Sequence, residues 1–219
     1  AFMKSILGAS AFLGFPISKI EAENNSVQEL IDKTKRDNNG SMFGFKCSKI
    51  EKVRIGIIGL GNRGNTLLEM LEYLIRNNHA EINGLSDLTY KKVNLASEKI
   101  SSWQTKKVKL FYDSKDDWKK MCQRDDIDLI IIATPWKLHA KMAIFSMENN
   151  KHVGCEVPIA STLEDCWKII ETAERTKKHC MMMENCNYNE EELWILNMIQ
   201  EGVFGDITHT EGAYIHDLR

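Results

Sequence analysis

A glycine-rich stretch decides the fold: Val53-Arg54-Ile55-Gly56-Ile57-Ile58 runs directly into Gly59-Leu60-Gly61-Asn62-Arg63-Gly64. The first six residues are a short β-branched apolar run, as in a strand that is buried on both faces of a parallel sheet. Residues 65–75 follow with a helical pattern that places leucines on one side. A GxGxxG motif between a strand and a helix is typical of dinucleotide-binding domains. The alternative is a glycine-rich turn that binds nothing.

Each glycine of the motif has its own part in such a site. Gly59 permits the tight turn, Gly61 lets the backbone approach a diphosphate, and Gly64 lets the helix pack on the strand. The helix N-terminus adds free N–H groups and a partial positive charge. Asp87 ends the second predicted strand, 23 residues after Gly64. A carboxylate there accepts hydrogen bonds from ribose hydroxyls and repels a 2′-phosphate, so we predict NAD rather than NADP as the cofactor.

Strand and helix patterns alternate along the rest of the chain. We predict strands over residues 81–86, 108–111, 127–133, 152–156 and 181–184, and helices over residues 118–122, 139–149 and 161–176. Ser161-Thr162-Leu163-Glu164 has the capping-box pattern that begins a helix. Strands separated by helices of about 10–15 residues indicate a parallel sheet with helices on both faces. The predicted fold class is α/β, a Rossmann-type doubly wound parallel sheet.

The composition of the 219 residues excludes several classes of protein. Hydrophobic residues make up 43%, and 29 basic against 31 acidic side chains leave a net charge of -2, so nothing indicates a nucleic-acid partner. No apolar run approaches the roughly 20 residues that a membrane-spanning helix needs. The six cysteines contain no CxxC pair. We therefore predict no metal site and interpret the thiols as buried or incidental.

The two ends of the sequence differ from the middle. Residues 1–22 have a basic residue, a short apolar core and a small residue at a cleavable position, the outline of an export signal. Phe2-Met3-Lys4 is similar to the end of a twin-arginine signal, so we predict export to the periplasm. A disordered or helical extension on a cytoplasmic protein is the alternative. Residues 23–49 are predicted to be a linker, and residues 50–185 the NAD-binding domain.

Residues 186–219 are predicted to begin a second, substrate-binding α/β domain. Residues 206–214 alternate between apolar and polar side chains, which predicts a strand of a sheet that has only begun. We interpret the chain as a fragment in which this domain is truncated.

Motifs near the ends of the later strands resemble the Gfo/Idh/MocA oxidoreductase family. They are Ala133-Thr134-Pro135, His139 and the run Lys151-His152-Val153-Gly154-Cys155-Glu156-Val157-Pro158. Most members have Glu-Lys-Pro where this chain has Glu156-Val157-Pro158, and in the dehydrogenases that lysine is placed to assist proton transfer. Because valine cannot carry a proton, the resemblance does not favour ordinary sugar dehydrogenation here.

One branch, glycoside hydrolase family 109, resembles this chain over residues 41–219, including the Glu-Val variant. The shared motifs are Ser41-Met42-Phe43-Gly44-Phe45, Gly59-Leu60-Gly61-Asn62-Arg63-Gly64, Trp136 with His139, Glu156-Val157, Met181-Met182-Met183-Glu184-Asn185-Cys186 and Tyr214-Ile215-His216-Asp217-Leu218-Arg219. These α-N-acetylgalactosaminidases hold NAD tightly and use it without net turnover. The resemblance implies oxidation at sugar C3, elimination of the aglycone, addition of water to C1, and reduction of the ketone by the same cofactor.

The resemblance also assigns parts to individual residues. Asn62 and Arg63 match phosphate-loop contacts, and Asp87 matches the ribose acid. The nicotinamide-side contacts match Trp136, His139, Glu156, Val157 and Asn185, and a substrate-binding tyrosine matches Tyr214. His216 is a candidate for proton transfer, while the family's main proton-transfer residues lie downstream of Arg219.

A purely structural role is the alternative to a functional one for several of these residues. Four of them can be explained without a ligand: Trp136 as a core tryptophan, Glu156 as a surface cap, Asn185 as a turn residue and His216 as a structural histidine. His139 can likewise be a residue of the first helical turn whose ring nitrogens form hydrogen bonds with backbone groups, and this interpretation needs no ligand either.

Three functions stay open from the sequence. The first is an NAD-dependent α-N-acetylgalactosaminidase that acts on a small-molecule or glycan substrate. The second is an NAD-dependent sugar oxidoreductase with net hydride transfer, and the third is a non-catalytic NAD-binding remnant. A homo-oligomer is compatible with all three. For this chain alone we predict dinucleotide binding without turnover.

Overall fold

Six parallel strands form one sheet in the computed structural model, which describes residues 41–42, 44–184 and 186–213. The strands β1 to β6 are Val53–Ile58, Ala80–Ser86, Lys109–Phe111, Leu129–Ile132, His152–Cys155 and Cys180–Met182. They pair in the order β3-β2-β1-β4-β5-β6, and every pair is parallel. The chain therefore reverses its direction of winding between β1 and β4. This confirms the predicted α/β class and the Rossmann-type doubly wound sheet.

Helices connect the strands. Helices α1 to α7 are Asn62–Met70, Glu72–Arg76, Tyr90–Ser101, Asp117–Cys122, His139–Glu148, Leu163–Thr176 and Glu190–Gln200, and short 3-10 helices cover Trp136–Leu138 and Cys186–Tyr188. The single helix that we predicted over residues 65–75 is wrong in two respects. It begins inside the glycine motif, and it is divided at Leu71, whose N–H donates to Leu68 O (3.1 Å) in a tighter 3-10 turn. Sequence patterns did not specify α3.

The cap of α6 is also one residue later than predicted. Thr162, rather than Ser161, is the N-cap residue, and its hydroxyl oxygen accepts a hydrogen bond from Asp165 N at 3.1 Å. Such a bond satisfies one of the free N–H groups at the start of a helix and is worth about 1 kcal/mol.

Two apolar layers hold the helices against the sheet. One layer joins β1 and β2 to α1 and α3 through buried side chains such as Ile57 and Leu68. The other joins β4 and β5 to α4, α5 and α6. Strand β4 supplies both layers, because Ile131 points into the first while Ile130 and Ile132 point into the second. This period of two is why the apolar runs mark strands that are covered on both faces.

The strand predicted over residues 206–214 is wrong for the described residues 206–213, which carry no strand and are exposed. A strand needs a neighbouring strand for its hydrogen bonds, and side-chain alternation alone does not supply one. Helix α7 lies in the segment after residue 185, where the first helix of the second domain was predicted, and its large apolar side chains are exposed. They are Leu193, Trp194, Ile195, Leu196, Met198 and Ile199. In the part of the chain that the structure describes, no helix combines the length and apolarity needed to cross a membrane.

A stacked histidine pair should make this fold sensitive to acid. The rings of His152 and His179 lie 5.4 Å apart, and His152 Nδ1 accepts a hydrogen bond from His179 N at 3.0 Å. Burial lowers the pKa of His152, and the nearby charges of Lys178 and His179 lower it further, against a weaker opposing effect of Asp128. The folded protein therefore takes up this proton at lower pH than the unfolded chain does.

We expect the free energy of unfolding to fall as the pH drops below about 6.5, the ordinary pKa of histidine. Urea unfolding followed by circular dichroism on both sides of that pH measures the effect. His152→Asn keeps an acceptor near the Nδ1 position and should flatten the pH dependence, whereas His79→Gln, at an exposed position, should not. An unchanged slope in His152→Asn would contradict the assignment.

Candidate dinucleotide site

The glycine motif forms an open backbone turn at the carboxyl end of β1. Gly59 has a φ of +91°, a left-handed conformation that favours glycine. A Cβ atom on Gly64 would lie 1.9 Å from Gly59 O, so helix and turn are in direct backbone contact. A Cβ on Gly61 would meet nothing within 4 Å. The space beside Gly61 is open, as the close approach of a diphosphate to this glycine requires.

Asn65 stabilises the same turn, and the sequence analysis did not identify it. Its side-chain amide donates to Leu60 O (2.9 Å) and to Gly61 O (3.0 Å). The two carbonyl groups of the turn are thus occupied from inside the protein. A side-chain amide in the first helical turn after a glycine motif is the signal that identifies such a residue.

Asp87 lies where an adenosine ribose is expected. It follows β2, and its Oδ2 atom accepts a hydrogen bond from Leu60 N at 2.9 Å. Its Oδ1 atom accepts one from Thr89 N at 3.1 Å and lies 3.6 Å from Lys92 Nζ. The carboxylate is therefore held in one orientation beside the glycine turn, as the predicted ribose contact demands.

Replacement of this carboxylate should change cofactor preference. The Asp87→Asn variant keeps an acceptor for one of the two backbone N–H groups but removes the negative charge that repels a 2′-phosphate, and it leaves Lys92 without this ion pair. We expect the affinity for NADP relative to NAD to rise about tenfold, which corresponds to ~1.4 kcal/mol. Calorimetric titration of both cofactors measures the ratio.

Asp116→Asn is the matched control for this substitution, because Asp116 lines the same cavity but pairs with Lys119 at 2.9 Å. The affinity of Asp116→Asn for NADP relative to NAD should stay near that of the unaltered chain. A ratio that Asp87→Asn leaves unchanged would contradict the prediction.

A cavity of about 850 Å³ connects the glycine turn with Asp87, within the range of about 300–1,000 Å³ for small-molecule and cofactor sites. It brings together five of the predicted site residues, namely Gly59, Gly61, Asn62, Arg63 and Asp87. Gly64, Trp136, His139, Glu156 and Val157 do not line it. The cavity thus covers the part of the site predicted for the diphosphate and adenosine.

The cavity also contains lysines that sequence reasoning missed. Lys92, Lys115, Lys119 and Lys141 all line it, together with Ser114 and Met142. They come from helices and loops that follow β2, β3 and β4. Their only signal in the sequence is a position just after the carboxyl end of a parallel strand, which is where ligands bind in open α/β sheets.

The residues predicted for the nicotinamide side gather after β4 and β5. Trp136 begins the 3-10 helix after β4 and is 65% exposed, so the alternative of a core tryptophan is wrong. Glu156 follows β5 and is only 8% exposed, so it is not a surface cap. Val157 comes next and is half-buried. Contact of these three side chains with a cofactor stays a prediction.

His139 is fully buried at the first residue of α5. Its Nε2 atom lies 2.7 Å from Thr134 O, and its Nδ1 atom lies 2.8 Å from Pro158 O. The ring therefore connects the segment after β4 to the segment after β5. Both nitrogens are occupied by backbone carbonyls, which is the arrangement of the alternative interpretation, and contact of His139 with a cofactor stays a prediction.

Arg63 and Glu156 form an ion pair across the carboxyl edge of the sheet. Arg63 Nε donates to Glu156 Oε1 at 2.6 Å. One residue was predicted for the diphosphate end and the other for the nicotinamide end, and the structure brings them into contact. Asn185, Tyr214 and His216 lie outside the described residues, as do most of the predicted signal and linker.

Metal binding and thiol chemistry are two other kinds of function that the described side chains could provide. No three histidine, cysteine, aspartate or glutamate side chains of the described residues are grouped so that they hold a metal ion. Burial raises the pKa of the Cys122 thiol to about 11 and that of the Cys180 thiol to about 12. Both thiols are neutral near pH 7 and unsuited to nucleophilic work.

Two family patterns match the sequence. The oxidoreductase family with an NAD-binding Rossmann fold matches residues 53–184, which includes all six strands. The C-terminal domain of glycosyl hydrolase 109 matches residues 188–219.

Similar proteins include bacterial glycosidases. Glycosyl hydrolase family 109 protein 1 of Bacteroides fragilis is 47% identical over 177 residues, which are 81% of this chain and 38% of that protein. An α-N-acetylgalactosaminidase of B. fragilis is 48% identical, over 81% of this chain and 41% of that protein. One from Shewanella oneidensis is 45% identical, over 82% and 38%. The chain spans about two fifths of the length of these relatives.

Solved structures with the same fold include dehydrogenases. The WlbA dehydrogenase from Chromobacterium violaceum, in complex with NADH and UDP-GlcNAcA, has a TM-score of 0.61 and 25% identity, and the match covers 72% of this chain and 42% of that chain. Scyllo-inositol dehydrogenase from Lactobacillus casei, with bound NAD(H) and scyllo-inositol, has a TM-score of 0.61, 20% identity and coverages of 72% and 43%. The second likeness concerns the fold alone.

Proposed function

Because the chain belongs to the oxidoreductase family with an NAD-binding Rossmann fold, we propose that it is the cofactor-binding part of a glycosidase that removes terminal α-N-acetylgalactosamine. The observation that carries this proposal is the 45–48% identity to two α-N-acetylgalactosaminidases over 179 residues, which include the entire dinucleotide crevice. An identity of this size across a whole cofactor site supports the same cofactor chemistry.

The described residues divide the binding of NAD between two ends of the crevice. The open backbone at Gly61 and the N-terminus of α1 receive the diphosphate, and Asp87 receives the ribose hydroxyls. Trp136 and Glu156 flank the nicotinamide after β4 and β5. NAD held there would supply reversible hydride transfer at sugar C3, a chemistry that permits cleavage of the glycosidic bond without net oxidation.

Val157 supports the glycosidase over a dehydrogenase. It stands where the resembling dehydrogenases have a lysine, and its side chain neither donates nor accepts a proton. The proton transfers at the sugar therefore need other groups. We propose His216 as one candidate and Tyr214 as a substrate contact, with further groups in the domain that begins after residue 185.

A sugar oxidoreductase with net hydride transfer is the second candidate. The similarity to WlbA dehydrogenase at 25% identity favours it. A binding protein without catalysis is a third possibility, in which the crevice binds NAD but no substrate domain closes over it.

One assay separates these functions. The complete gene product, whatever its length, is incubated with NAD and an aryl α-N-acetylgalactosaminide while phenol release and absorbance of NADH are followed together. Phenol release without accumulating NADH is expected for the proposed glycosidase. Accumulating NADH with free sugars and no phenol would instead support the oxidoreductase. The absence of both signals would support the binding protein.

The 219-residue chain should bind NAD but should not catalyse cleavage of the glycoside. Calorimetry with NAD and the same phenol assay test both halves of this expectation. Glycoside cleavage by these 219 residues would contradict the proposed division into a cofactor domain and a substrate domain.

We also propose that residues 1–22 direct export. Expression of the complete gene product followed by separation of periplasm from cytoplasm tests it, with deletion of this segment as the control. Recovery of the unaltered protein in the cytoplasm alone would refute export.

A further inference from the structure

The Arg63–Glu156 ion pair bridges the two halves of the crevice. Arg63 lies in the first turn of α1, after β1, and it lines the cavity. Glu156 lies after β5, and its backbone N–H donates to Ile132 O, the last residue of β4, at 3.0 Å. Because β4 lies between β1 and β5 in the sheet, the pair passes over the end of β4. That is the edge at which the winding reverses and a dinucleotide crosses.

The burial of the two partners is unequal. The side chain of Glu156 is 10% exposed and that of Arg63 is 40% exposed. A carboxylate so poorly hydrated is costly unless a cation accompanies it. Arg63 therefore supplies the positive charge that accompanies the Glu156 carboxylate at the nicotinamide end. Since residue 157 is valine, the residue next to Glu156 in the chain supplies no such charge.

The nicotinamide ring is cationic when oxidised and neutral when it carries the hydride. A lone carboxylate beside the ring favours the oxidised form, and a lone guanidinium favours the reduced form. A paired carboxylate and guanidinium nearly cancel, so that the site holds both forms with comparable strength. A cycle that removes a hydride and returns it needs this balance.

We propose that the Arg63–Glu156 ion pair sets the ratio of the affinities for NAD⁺ and NADH. This inference rests on the proposed function, because it takes Glu156 to lie at the nicotinamide end. Arg63 influences the nicotinamide ring through its ion pair with Glu156, so we describe it as a positioning residue and not as a catalytic one. The two oxidation states carry the same diphosphate, so contacts of Arg63 with phosphate cancel in the ratio.

The two single substitutions should move the ratio in opposite directions. Glu156→Gln leaves the guanidinium unpaired, and the affinity for NAD⁺ relative to NADH should fall about three- to tenfold. Arg63→Gln leaves the carboxylate unpaired, and the same ratio should rise by a similar factor. Arg63→Lys keeps the charge and should leave the ratio close to that of the unaltered chain.

Calorimetric titration of the 219-residue chain with NAD⁺, NADH and ADP-ribose measures these changes. The matched control is Arg76→Gln, which breaks the Arg76–Glu72 pair of 2.7 Å on the exposed surface and should leave all three affinities unchanged. Thermal unfolding by circular dichroism identifies any variant that fails to fold, and the Arg63→Gln and Arg63→Lys pair then carries the test.

Opposite shifts in the two glutamine variants support the proposal. Equal weakening of NAD⁺, NADH and ADP-ribose would overturn it, because a purely structural or diphosphate role acts on all three ligands alike. If the unaltered chain binds none of the three, the proposed cofactor function itself is refuted, an outcome distinct from a ratio that stays constant.

Discussion

The Gly64→Ala variant is expected to lose a large part of its stability. A Cβ atom at this position would lie 1.9 Å from Gly59 O and 2.9 Å from Gly59 C. Both atoms belong to the backbone of the turn, so no flexible side chain yields, and the helix must move away from β1. Overpacking typically costs 1–3 kcal/mol and occasionally more. We expect about 3 kcal/mol or more, a large part of the roughly 5–15 kcal/mol that stabilises a domain.

Urea and thermal unfolding of the purified chain measure this loss. Because Gly64 is buried beneath the turn, NAD should protect the variant poorly. A Gly64→Ala protein that unfolds at the same urea concentration as the unaltered chain would contradict the backbone contact.

The Gly61→Ala variant should have the opposite profile, with a stable fold and little NAD binding. Gly61 has a φ of -74° and a ψ of -165°, which any residue adopts, and its Cβ would meet nothing within 4 Å. We expect the free energy of unfolding to change by less than about 1 kcal/mol. A methyl group that occupies the approach of the diphosphate should weaken NAD about ten- to a hundredfold, from an overpacking cost of about 1–3 kcal/mol.

Titration of Gly61→Ala with NAD and with adenosine separates the two ends of the site. Adenosine has no diphosphate, so its affinity should change little. The two glycine variants control each other, because the same methyl group is added three residues apart. Unaltered NAD affinity in Gly61→Ala would place the diphosphate away from this turn.

Local patterns predicted the sheet well because its four inner strands, β2, β1, β4 and β5, are mostly buried. The isoleucines of β1 and β4 have no polar alternation to interrupt them, and the helices between them are long enough to enforce parallel pairing. Boundaries were less certain for a physical reason. Strand β6 begins at Cys180 rather than Met181, because Cys180 pairs with Val153 of β5, and that register depends on a distant strand.

Part of the candidate site was equally visible in the sequence. Gly59, Gly61 and Asp87 are marked by spacing within one strand–turn–helix–strand unit, and the cavity does join them. The lysines of the cavity were not visible, since they follow three different strands and share no motif. Residues 206–213 show the opposite outcome. Their alternating pattern predicted a strand, but they have no neighbouring strand among the described residues to pair with.

The sequence by itself determined the order of the elements, the glycine turn and the acidic residue after β2, because each depends on residues close together in the chain. Only the tertiary structure decided that Arg63 meets Glu156, 93 residues away, and that His139 joins the segments after β4 and β5. Those contacts exist because the strand order places β1, β4 and β5 side by side. Strand order is a property of the assembled sheet, to which the packing of both apolar layers contributes, and no local pattern encodes it.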